Sequence, residues 1–196
     1  GIEHFTALFN AIINKYVLKI EYKASFGESQ QYEIHPYFLK QYNNRWFLFG
    51  ISQLEGQNKL MNMAIDRIVG FEPMHQVEYI ENKDIDFVEY FDDVIGVTVP
   101  NDKSIEKIRL KIDKARYSYI ESKPIHPTQT VKEKNEEYAV IELKLILNYE
   151  FETLLLGFAD SVEILEPESL RETISSRARK IIEKNINCAD TSHGNS

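Results

Sequence analysis

The pair Asn43-Asn44, between the apolar runs FLKQY and RWFLFGI, constrains this chain more than any other stretch. Asparagine tolerates the left-handed backbone that a two-residue hairpin turn requires, so the two runs are predicted to fold back on each other as antiparallel strands. Residues 45 to 51 carry Phe47, Phe49 and Ile51 on one side and Trp46 and Leu48 on the other. A strand that is apolar on both faces belongs in the middle of a closed or covered sheet.

The flanking sequence extends the pattern. Phe5, Leu8, Phe9, Ile12, Ile13 and Tyr16 follow helical spacing, which predicts an amphipathic helix over 3–15 with one apolar face. LKIEYK alternates Leu18, Ile20 and Tyr22 against charged neighbours, as a half-buried strand does, and FGES supplies a turn before QQYEIH. Pro36 should interrupt that strand or place it at an edge, since it has no N–H to donate. KLMNMAI and IVGFE, separated by Asp66-Arg67, complete about five short strands. Hairpin spacing then implies a small barrel capped by the first helix.

Residues 81–104 are acid-rich, hold turn signals at Gly96 and Pro100, and show no sustained period, so they read as a linker. Beyond them EKIRLKID is a strand, ARYSYIES a short helix, VKEKNEEYAVIELKLIL two strands around Lys134-Asn135, and YEFETLLLGFA a helix closing near Gly157. SVEILEP is a last strand, and Pro167 opens a terminal helix with acidic residues early and basic residues late. The order β-α-β-β-α-β is ferredoxin-like with an appended helix. The expected fold is therefore α+β, with a barrel domain over 1–80, a linker over 81–104, a ferredoxin-like domain over 105–187, and a disordered tail over 188–196.

Charge decides which partners are plausible. Acidic residues number 31 against 23 basic ones, a net charge of −8, so the whole-molecule field repels nucleic acid and anionic membranes. Any polyanion site must be local. The single cysteine, Cys188, excludes an internal disulfide and a cysteine-based zinc site. No apolar run approaches the ~20 residues of a membrane span, and no signal-peptide core opens the chain, which points to a soluble cytoplasmic protein.

Catalytic motifs are missing: there is no phosphate-binding G-x-x-x-x-G-K-[ST], no G-x-S-x-G, no G-x-G-x-x-G and no H-E-x-x-H. The five histidines show no paired ligand spacing, so neither metal nor cofactor is expected, and His35-Pro36 and His126-Pro127 read as strand ends or turns. The cluster that remains is basic and aromatic: Tyr37, Lys40, Arg45, Trp46 and Phe47, with Asp66 and Arg67 nearby in the pattern. A guanidinium beside flat rings can hold a phosphate while a ring stacks a base. The competing reading is that Trp46 is core, Arg45 lies along the surface, and Asp66-Arg67 tightens a turn.

HPYFLKQYNNRWFLFG followed by AIDRIVGFE resembles the WYL domain of bacterial transcriptional regulators, with Trp46-Phe47-Leu48 standing for the signature triplet and Phe47 replacing its tyrosine. YIESKPIHPTQTV and LLLGFADSVEILEPESLRETI are similar to the extension that follows many such domains. The resemblance implies an Sm-like or SH3-like barrel, no enzymatic activity, and a sensor that binds nucleotides or single-stranded nucleic acid and acts through a dimer on a separate winged helix-turn-helix. No basic recognition helix precedes Phe5, so the chain reads as a sensor fragment or a stand-alone accessory protein. Family cations expected before the proline strand and before D-R-I are replaced here by Glu33 and by apolar or amide residues. This favours a small nucleotide or a short single strand over duplex DNA. A homo-oligomerisation or protein-interaction module without a ligand is the alternative.

Overall fold

The computed structural model describes residues 1–24, 27–54 and 57–186. Cys188, the tail from 188 and Phe26 of the FGES turn lie outside the described residues. The chain forms two compact units that meet in sequence at Asp92 and Asp93. Among the described residues it is a mixed α+β fold with four α-helices and nine strands in two antiparallel sheets.

The first unit begins with helix α1 (Ile2–Ile13), then strands β1 (Leu18–Tyr22), β2 (Gln30–Tyr42), β3 (Arg45–Leu54), β4 (Gln57–Ala64) and β5 (Ile68–Pro73). Asn43 and Asn44 adopt φ of 48° and 61°, the left-handed pair the β2–β3 turn needs. The sheet order is β4-β3-β2-β1-β5, which puts β4 and β5 at opposite edges. Yet only the 3-10 turn Ile65–Arg67 joins them. A flat five-stranded sheet spans about 19 Å from edge to edge, farther than so compact a connection reaches, so the sheet must roll. Among the described residues no ladder joins β4 to β5, so the expected closed barrel is a rolled sheet with an open seam.

Pro36 does not end its strand or mark an edge. The first half of β2 pairs with β1 (Ile34 opposite Leu18), the second half pairs with β3 (His35 opposite Ile51, Pro36 opposite Gly50), and a bulge follows at Pro36–Phe38. The strand changes partner where its missing N–H would otherwise be needed. Gly50 makes this crossing possible, because a Cβ there would lie 2.5 Å from the His35 carbonyl oxygen.

Inside the roll, Leu8 and Ala11 of α1 pack on Leu18, Ile20, Ile34, Leu48, Met63, Ile65 and Ile68. The predicted apolar face divides: Leu8 is buried and Phe5 and Ile12 are half-buried, whereas Phe9, Ile13 and, beyond the end of α1, Tyr16 are exposed. The other face of β2–β3 is covered by the segment after β5. There Phe38 stacks on Phe87, and Phe49 meets both Phe87 and Phe91.

The second unit contains β6 (Ile105–Asp113), α2 (Lys114–Ser122), β7 (Thr130–Lys134), β8 (Tyr138–Ile146), α3 (Tyr149–Gly157), β9 (Val162–Glu166) and α4 (Glu168–Ile186). Its sheet order is β7-β8-β6-β9. Ile108, Leu110 and Ile112 of β6 and Ile141, Leu143 and Leu145 of β8 alternate onto one face, where Tyr117, Ile120, Phe151, Leu155 and Leu170 complete the core. Most alternate positions, Val140 and Ile146 excepted, are charged, and ion pairs such as Lys107–Glu166 at 3.1 Å and Lys132–Glu142 at 3.2 Å join this face to the neighbouring strands. Asn148 starts α3 by accepting from the Phe151 N–H at 2.9 Å, and its amide donates to the carbonyls of Ile95 and Thr98 at 2.8 Å each.

Candidate functional site

Strand alternation divides the basic-aromatic cluster. Trp46 points to the side of α1, with its ring 4.6 Å from that of Phe5 between centroids, and packs against the first core. Arg45 and Phe47 lie on the opposite side of β3, and Lys40 faces Phe47 across the β2–β3 ladder. The signature tryptophan therefore braces helix against sheet, while the groups able to meet an anion stand on the other face.

Arg45 is not free. Its guanidinium donates to one Asp66 oxygen through Nε at 3.1 Å and Nη2 at 2.6 Å, with both side chains 41% exposed. So exposed a pair contributes only ~0 to 1 kcal/mol to stability. Its electrostatic effect matters more. Asp66 lines an open groove of about 330 Å³ together with Lys23, Ala24, Arg67, Ile68 and Val69. Arg45 offsets that carboxylate, which leaves Lys23 and Arg67 as the net charge of the groove. Among the described residues, no hydrogen bond or ion pair engages the Arg67 guanidinium. Its carbonyl is held by the Lys23 N–H at 3.0 Å, which fixes the two cationic residues side by side.

Lys23 was not among the residues the sequence singled out. It joins Arg67 only because β1 pairs with β5, where Tyr22 lies opposite Ile68. That pairing is long-range, and the sole local hint is a lysine at the end of an alternating strand.

Tyr37 lies apart, at the β2 bulge. Its hydroxyl donates to the Ile80 carbonyl at 2.9 Å, and Tyr79 in turn donates to the Pro36 carbonyl at 2.6 Å. Burial pushes both phenols up to about 12, with Asp84 adding to the rise at Tyr37, so both remain neutral donors. His35 completes the clasp: its Nδ1 accepts the Ile80 N–H at 3.0 Å, which places the ring proton on Nε2. Ile80 thus has both backbone groups satisfied by alternate side chains of β2.

Burial lowers the His35 pKa below the usual imidazole value, and Glu33, whose Oε1 lies 3.7 Å from Nε2, opposes this only in part. A histidine with a depressed folded pKa contributes its stability above about 6.5, the unfolded value, and loses it as pH falls toward the folded one. The urea midpoint is therefore expected to drop between pH 7.5 and 5.5, and His35→Asn, which keeps an acceptor near Nδ1 but cannot titrate, should flatten that dependence.

Lys40 lies 3.9 Å over the Phe91 ring centroid, and burial lowers its pKa against the opposing pull of Asp92. Among the described residues no three histidine, cysteine, aspartate or glutamate side chains converge as a metal site would require, and no helix is long and apolar enough to cross a membrane.

Comparison with known proteins follows the division into units. The WYL domain matches residues 3–73 and the WCX domain residues 104–182. No curated protein matches the chain. Among solved structures, a CRISPR Cas-related protein shares 14% identity at a TM-score of 0.55, covering 98% of this chain and 53% of its own. Proteasome accessory factor B/C (PafBC) of Arthrobacter aurescens shares 16% identity at a TM-score of 0.35, covering 89% of this chain and 26% of its own. The chain thus spans about half of the one and about a quarter of the other. The rolled sheet with its D-R-I turn and the four-stranded second unit coincide with the two matched segments, and the chain is a WYL domain followed by a WCX domain.

Proposed function

We propose that this chain is the ligand-sensing part of a transcriptional regulator, and that it binds a nucleotide-like effector or a short single-stranded nucleic acid through Arg67 and Lys23. The observation that carries the reading is the unengaged Arg67 guanidinium beside Lys23 in an open groove, in a chain of net charge −8. Acidic surroundings favour a compact anion over a long duplex, because few phosphates can be neutralised at once. Arg45 tunes the groove through Asp66, whereas Tyr37, Lys40, Phe47 and Trp46 do not line it. The sheet orders support reading the first unit as Sm-like in plan and the second as ferredoxin-like, with a domain break after the first sheet. In a complete regulator the signal would be a changed domain or dimer arrangement imposed on a separate DNA-binding domain, and the effector must favour one arrangement energetically.

Fluorescence anisotropy of a labelled single-stranded oligonucleotide tests this. Saturable binding is expected to weaken as salt rises, and Arg67→Ala should weaken it by roughly 10- to 100-fold, the value of one charge-assisted phosphate contact. The slope of log K against log salt should become shallower by about 0.7. Equal binding by the variant would remove Arg67 from the site.

A second reading rests on α4, whose last two turns expose Ile181, Ile182 and Ile186. In this reading a second copy covers that face and the chain serves as a dimerisation module. Anisotropy and sedimentation together separate the two: the sensor reading expects weakened binding by Arg67→Ala with unchanged assembly, whereas the dimerisation reading expects a wild-type dimer that binds no oligonucleotide.

A further inference from the structure

Residues 74–92 follow β5 without forming a strand, yet they are anchored at chosen points. One anchor is the His35–Tyr37 clasp on Ile80, reinforced by the Lys15–Glu81 ion pair at 2.5 Å. The other is Phe91, which is buried against Phe38 and Phe49. Between them, Asp86 closes a turn by accepting from the Val88 N–H at 2.8 Å through its side chain and from the Tyr90 N–H at 2.8 Å through its carbonyl. This turn sets the Phe87 ring on Phe38 with planes 6° apart and centroids 5.0 Å apart.

A near-parallel stack is how a planar base would lie on an aromatic platform. Phe87 is only half-buried, unlike Phe91, and the adjacent Val88 is 81% exposed. Beside the stack, Lys40 has no carboxylate within ion-pair distance among the described residues. Instead its ammonium lies 3.9 Å over the Phe91 ring centroid.

We propose that residues 79–92 are a built-in occupant of a second anion site on the first sheet, in which Phe87 stands where a planar base would stack on Phe38 and Lys40 would take the accompanying phosphate. The ligand class is an aromatic anion, of which a nucleoside monophosphate is the simplest example. The inference rests on the sensor reading above but uses residues that do not line the Arg67 groove. Binding would displace the turn around Phe87 while Phe91 stays in the core, and the strain would pass to the Ile80 clasp.

Adenosine monophosphate serves as the probe, with calorimetry for affinity and hydrogen exchange at the Ile80 amide for the clasp, both on the full chain. Phe87→Leu keeps the apolar volume but removes the competing ring. It is expected to tighten binding by about fivefold or more, the lower end of one aromatic stack, and Lys40→Gln should abolish the gain. In the wild type, saturating nucleotide should speed Ile80 exchange. Unchanged affinity in Phe87→Leu, or no binding in either protein, overturns the proposal. Should Phe87→Leu fail to fold, faster Ile80 exchange with nucleotide in the wild type, absent in Lys40→Gln, supports it, and unaltered exchange overturns it. The two readings fail separately: oligonucleotide binding lost in Arg67→Ala with no effect of Phe87→Leu leaves only the groove standing, and the converse leaves only the stack.

Discussion

Gly50→Ala is expected to destabilise the first unit by about 1 to 3 kcal/mol, the usual cost of forcing a methyl group into a filled site. The added carbon would lie 2.5 Å from the His35 carbonyl oxygen, 2.9 Å from Ile34 Cγ2 and 3.0 Å from the Pro36 Cα. Two of these neighbours are backbone, in the stretch where β2 exchanges one partner strand for another, and backbone there cannot yield without breaking pairing on one side or the other. Gly70→Ala is the control, since a Cβ at Gly70 meets nothing within 4 Å. Urea unfolding of the two variants should show a lowered midpoint for Gly50→Ala and almost none for Gly70→Ala. Similar midpoints would mean that the β2–β3 crossing is looser than its geometry indicates.

Asn148→Ala should cost about 2 kcal/mol, from a lost helix cap and two partly buried carbonyls that lose this donor. Asn148 is buried, and its one amide group serves α3 through Phe151 and the preceding segment through Ile95 and Thr98. Asn148→Asp separates these roles. It keeps the cap acceptor but turns a carboxylate oxygen toward two carbonyl oxygens, so it should be no more stable than the alanine variant. Thermal unfolding checks the ranking, and an aspartate variant close to wild type would reduce the residue to a cap.

Local signals were readable because they depend on neighbours. The Asn43-Asn44 turn, the alternation of β1 and β3 and the helix–strand rhythm of the second unit all follow from periods a few residues long. The two faces of β3 were equally plain, but not which of them meets solvent, since that depends on α1 and on Phe87 and Phe91. Lys23 escaped because its partner strand is β5, and Pro36 was misjudged because a proline that is fatal inside one ladder is harmless where two ladders meet. His35 was read as a strand-end residue; its hydrogen-bond partner at Ile80 lies across the whole first sheet in sequence. Arg67 could be named from the D-R-I segment, but its freedom could not, because that depends on Arg45 rather than Arg67 holding Asp66.

The clasp at Ile80 and the buried ring of Phe91 also bear on how such a chain can change over generations. A connector between domains usually drifts in length, gaining and losing residues at little cost. Here both ends of the stretch are fixed to the same sheet, one by its backbone and one by its side chain. A single inserted or deleted residue between them would carry Phe91 out of its place or pull Ile80 from His35 and Tyr37. Its exposed positions, such as Val88 and Glu89, can change in kind, whereas a change in their number should be costly.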